Sequence, residues 1–95
     1  FTVEKLGRTI QALYPNSTIA VTYTADVPTS TSFFNSATQI NANRIAKCDL
    51  TLSGDNPSTE VWSIYDTDGT TVLRTITYTY TVSSDVITGV ARVVT

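Results

Sequence analysis

Between Thr70 and Val82 the chain reads TTVLRTITYTYTV, thirteen residues of unbroken strand-forming character. Val72, Arg74, Ile76, Tyr78, Tyr80 and Val82 fall on one face, and Leu73 with Thr75, Thr77, Thr79 and Thr81 on the other. At about 3.3 Å per residue such a strand extends roughly 43 Å, against a usual length of about 5–6 residues. A globule of this size, with a radius of gyration near 12 Å, is only about 25 Å across. The strand must therefore bend around a small barrel or project past its domain. A projecting ribbon would present Tyr78 and Tyr80 together, on a surface suited to assembly.

The neighbouring segments predict partners for it. KCDLTLS reads as a strand ending at GDNPS, EVWSIY as a second, and VITGVARVVT as a third after the turn SSD. STIAVTYTADV is a further strand, with Ile19, Val21 and Tyr23 on one face and Ala20, Thr22 and Thr24 on the other. Upstream, Val3, Leu6, Ile10 and Leu13 recur at helical spacing, with Thr2 as N-cap and Pro15-Asn16 as stop; an irregular strand is the alternative. PTSTSFFNSATQINANR has no clear period and reads as a long loop anchored by Phe33 and Phe34. The expectation is a single all-β domain over residues 1–95. It would be a small antiparallel sandwich or barrel-like meander, with three to four of its strands in the second half of the chain and one short N-terminal helix. No internal repeat, linker or low-complexity tract is read as dividing it.

Charged residues make up only 15% of the chain, and 19 threonines and nine serines stand in their place. Such a surface is common on extracellular and virion proteins. The six basic residues, Lys5, Arg8, Arg44, Lys47, Arg74 and Arg92, are scattered, and the net charge is −2. That excludes a basic patch and argues against nucleic acid and anionic membrane as partners. No apolar run reaches the length of a membrane-spanning helix.

YDTDGT, around Asp66 and Asp68, is the stretch closest to chemistry, and it resembles the first motif of haloacid dehalogenase-like phosphatases. The resemblance implies a nucleophile at Asp66 and a general acid/base at Asp68. Only 27 residues follow Asp68, however, holding no lysine and one further acid, Asp85. The parallel crossovers of that family have no room there. An EF-hand calcium loop fails on its ligand order, since Gly69 arrives too early and no glutamate follows; a β-hairpin calcium site using Asp66, Asp68 and a distant acid is the alternative. Asp66, Asp68 and Gly69 are therefore read as a hairpin turn, the glycine supplying positive φ. Lone Cys48 reads as a core residue, and without any histidine general-base and nucleophilic schemes lose their commonest member. Asn16 opens an N-glycosylation pattern, NST. No catalytic residue, cofactor or metal is expected.

The closing pattern, strand–DTDGT–strand–SSD–strand, is similar in texture to small structural proteins of tailed-phage virions. The resemblance implies a non-enzymatic virion subunit, capsid-decorating or tail-associated, whose partners are itself and other structural proteins. Phe33, Phe34, Tyr78 and Tyr80 form the candidate assembly surface. The alternative is an extracellular or cell-surface binding module, an adhesin or carbohydrate-binding domain. It would offer a surface glycan a platform of Trp62, Tyr65, Tyr78 and Tyr80.

Overall fold

The computed structural model describes residues 2–95, with side chains from Gly7 onward. Helix α1 (Thr2–Leu13) precedes β1 (Thr18–Thr24), β2 (Val27–Phe34), β3 (Arg44–Ser53), β4 (Asn56–Tyr65), β5 (Val72–Ser83) and β6 (Val86–Val94). The six strands form one antiparallel sheet whose spatial order is the chain order. The fold is thus all-β with one short N-terminal helix. Its layering is a single open sheet with α1 against one face, and it has one strand, β2, beyond those read from the sequence.

Gly7 explains how the helix docks. A Cβ there would lie 3.2 Å from the ring of Phe33, so the absence of a side chain brings the helix backbone onto that ring. Ile10 joins the core, whereas Leu13 is exposed. The side chains of Val3 and Leu6 and the expected cap at Thr2 lie outside the described residues. The long loop is corrected: residues 28–34 belong to β2, only 35–40 remain irregular, Asn41–Asn43 form one 3-10 turn, and Arg44 opens β3. Alternation of Thr31 and Phe33 with Ser30 and Ser32 is a strand signal that the Ser/Thr-rich composition masks.

The long strand β5 stays inside the sheet. Residues Val72–Thr79 pair with β4 and Ile76–Ser83 with β6, so no bare ribbon projects.

The chain also contains a repeat that the sequence reading did not find. Residues 22–30 (TYTADVPTS), 51–59 (TLSGDNPST) and 81–89 (TVSSDVITG) occupy the same place in three successive hairpins. Their aspartates Asp26, Asp55 and Asp85 are 29 and 30 residues apart. Each hairpin turns in two residues, and each slips its register at the same point, leaving Thr29, Ser58 or Thr88 without a partner. In the first and third hairpins that bulged threonine donates its hydroxyl to the carbonyl of Thr22 (3.3 Å) or Thr81 (3.2 Å). Thus a hydroxyl residue three positions after the aspartate has a structural task at the bulge.

The core lies on the helix-bearing face. Ala46 and Cys48 on β3 are small and fully buried, which lets Phe33 of β2 and Trp62 of β4 meet above them, ring centroids 5.5 Å apart and nearly parallel. Phe33 and Phe34 are 1% and 6% exposed, so they are corrected from an assembly surface to interior residues. An aromatic pair beside a polar loop reads as a sticky anchor only until the strand that carries it is recognised.

Candidate functional site

Three places gather polar or exposed groups that a function would need. The first is internal. Glu60, fully buried, accepts hydrogen bonds from Trp62 Nε1 (2.9 Å) and the Tyr80 hydroxyl (3.2 Å). The repeat of inward-facing positions along β4 puts Glu60 and Trp62 on one face, and cross-strand pairing adds Tyr78 and Leu50. Cys48 lies close enough that burial first, then the carboxylates of Glu60 and Asp49, pushes its thiol up to about 12. Such a thiol stays protonated and unreactive near neutrality. The cluster is a satisfied polar network in the core.

The second is the loop joining β4 to β5. Asp68 Oδ1 accepts the backbone N–H groups of Thr70 (2.9 Å) and Thr71 (2.8 Å), while Oδ2 accepts the Thr71 hydroxyl. These bonds, led by the one from the Thr71 hydroxyl, lower its carboxyl to about 2. Asp66 Oδ1 accepts from Thr67 N–H (2.7 Å). Both carboxylates are therefore occupied within their own loop. Gly69, with φ of 72°, is buried against residues 41–42, and its carbonyl accepts from Arg44 Nε (3.1 Å). The guanidinium of Arg44 in turn lies 3.9 Å from the centre of the Tyr65 ring. Among the described residues no group of three or more His, Cys, Asp and Glu converges as a metal site would require.

The third is the pair of sheet edges. Thr75 and Thr95 exchange both backbone hydrogen bonds (2.9 and 2.8 Å). In an antiparallel ladder such pairs alternate with pairs that turn outward. Carried across the registered strands, the alternation directs the backbone of Ile19 and Val21 on β1, and of Val90, Arg92 and Val94 on β6, to the open edges. The amide of Gln39 donating to the carbonyl of Ile19 (3.2 Å) agrees with this placement. The edges are also apolar. Ile19, Val21 and Tyr23 on β1, and Val86, Ile87, Val90, Val93 and Val94 on β6, are exposed. β1 contains no charge and no proline, and β6 one arginine, so the usual devices that blunt an edge are scarce.

Against the sequence reading, Tyr78 packs on the core and Tyr80 bonds to Glu60, so neither stands on a projecting ribbon. Trp62 is fully buried and Tyr65 lies against Arg44, so the four aromatics form no common platform. A polar cleft of about 440 Å³ does open between the β3–β4 and β5–β6 turns, where Asn56 Nδ2 donates to Asp85 Oδ1 (3.0 Å) and Tyr80 forms part of the wall. The edges were missed because edge position is a property of strand order, which no local pattern states. The chain matches no family model, no curated protein and no solved structure.

Proposed function

We propose that this chain is a non-enzymatic structural subunit of a larger assembly, of the kind that decorates phage capsids or builds their tails, and that it works in the virion. The observation that carries the reading is the presence of two open sheet edges rich in exposed aliphatic residues. Exposed apolar edges on a small domain expose strand backbone to pairing with another chain. A chain that buries a limited share of its own surface gains stability by that contact. The virion assignment rests further on the Thr/Ser-rich surface and on the texture of the closing strands. Light scattering across a concentration series tests the assembly reading. Growth of rings, filaments or closed oligomers is expected, and a monomer at every concentration refutes it.

The alternative, an extracellular glycan-binding module, draws on the cleft walled by Tyr80, Asn56 and Asp85. A stacking ring beside amide and carboxylate groups suits a sugar. A glycan array with and without calcium tests it, and silence in both removes it.

A further inference from the structure

The three hairpins are joined in one register. Between the first two, Ser30 pairs with Asp49 and Thr31 with Cys48. Between the second and third, Thr59 pairs with Thr79 and Glu60 with Tyr78. Shifted by the repeat, Ser30 corresponds to Thr59, and Asp49 to Thr79, so the two junctions are the same junction. Continued once more, the rule takes Gly89 and Val90 of β6 to the positions equivalent to Ala20 and Ile19 of β1.

From this we infer that the occupant of the β6 edge is the β1 edge of a second copy of this chain, docked antiparallel with Val90 opposite Ile19 and Gly89 opposite Ala20. The inference rests on the assembly reading above and adds its partner and register. Four observations meet in it. The contact continues two interfaces already built within the chain. Val90 and Ile19, both exposed, stand on the helix-bearing face of their strands and would cover one another. The same alternation that leaves the backbone of Ile19 free of β2 leaves that of Val90 free of β5, so this pair exchanges hydrogen bonds in the ladder. Gly89 and Ala20 are small on the opposite face, where a non-hydrogen-bonded pair brings strands closest. The amide of Gln39 holds the Ile19 carbonyl in the single chain and must swing aside to admit the incoming N–H. Because β6 meets β1 and not itself, the contact is head-to-tail and propagates into a ring or a helical filament.

Cysteine crosslinking reads the register directly. A Gly89→Cys chain is mixed with an Ala20→Cys chain, both in a Cys48→Ala background, and oxidised mildly. A Cβ at Gly89 meets only Thr81, at 3.7 Å or more, so the variant fits the strand. Position 20 and position 89 lie on strands at opposite edges of one sheet, so any link between them joins two chains. A mixed disulfide is expected at least about fivefold above that from Gly89→Cys with Thr24→Cys, four residues and about 13 Å away along the strand. Light scattering on the unoxidised wild type is run alongside. Assembly with equal linking at both positions, or with Gly89→Cys pairing mainly with itself, overturns the register while leaving assembly intact. A monomer with no mixed disulfide overturns both.

Discussion

Trp62 donates its indole N–H to the carboxylate of Glu60, its neighbour two residues back on the same face of β4, at 2.9 Å with both residues fully buried. The bond explains why the sheet tolerates an acid in its interior. Glu60 satisfies the one polar atom of the largest core side chain, and Tyr80 takes its second oxygen. Removing the acceptor strands a buried N–H, which costs about 1–3 kcal/mol. Glu60→Leu is therefore expected to destabilise by that amount in urea unfolding, and Glu60→Gln, which keeps an acceptor, by less. Trp62→Phe placed on Glu60→Leu should cost less than the sum of the single variants. Strict additivity in this cycle would separate the two residues energetically.

Gly69 supplies a second prediction. Its φ is 72°, and a Cβ built on it would collide with the backbone oxygen of Asn41, which packs over the loop. A non-glycine residue at positive φ costs about 1–2 kcal/mol by itself. Gly69→Ala should exceed that, because residues 41–42 must also move. Gly54, whose Cβ would meet nothing, should cost only the conformational share. Thermal unfolding of both alanine variants checks the difference, and equal losses would refute the packing argument.

The first and third hairpins turn through pairs of residues at positive φ, Ala25 with Asp26 and Ser84 with Asp85. Two such residues in a two-residue loop define the turn that favours Asn-Gly. The paired changes Ala25→Asn and Asp26→Gly keep the backbone and remove strain, so stabilisation of about 1 kcal/mol is expected. In a domain of this size that raises Tm by about 4–8 °C. An unchanged or lower Tm would contradict the turn assignment.

Much of this fold is legible in the sequence, and the losses have physical causes. The alternation of Thr with Val, Ile and Tyr predicts β1 and β5, because period two survives in any half-buried strand. β2 is lost because Ser and Thr fill both loop and strand positions. The repeat escapes for the same reason: its matching positions are mostly hydroxyl or small residues, and with 19 threonines and nine serines they match by chance elsewhere. Only the shared bulge gives the hydroxyl of Thr29 or Thr88 a meaning. Nothing in EVWSIY marks Glu60 as buried, and its acceptor role is seen only once the indole of Trp62 is placed beside it. The edges need strand order, which only the folded chain supplies.

Cys48 makes the fold sensitive to alkali. Burial and the carboxylates of Glu60 and Asp49 push its thiol from the ordinary 9.0 up to about 12. A group held protonated in the folded chain stabilises it fully below the unfolded value, and that contribution is lost as pH rises through the folded one. Between pH 9 and 12 the unfolded chain releases a proton that the folded chain keeps, so stability falls with pH in this window. Cys48→Ala, which has no proton to release, should flatten that part of a stability-versus-pH profile even though the smaller side chain lowers stability at pH 7. At pH 8 a thiol reagent should leave the native protein untouched and label it fully in denaturant. Rapid labelling of the native chain, or an alkaline slope unchanged in Cys48→Ala, would place the thiol outside the core.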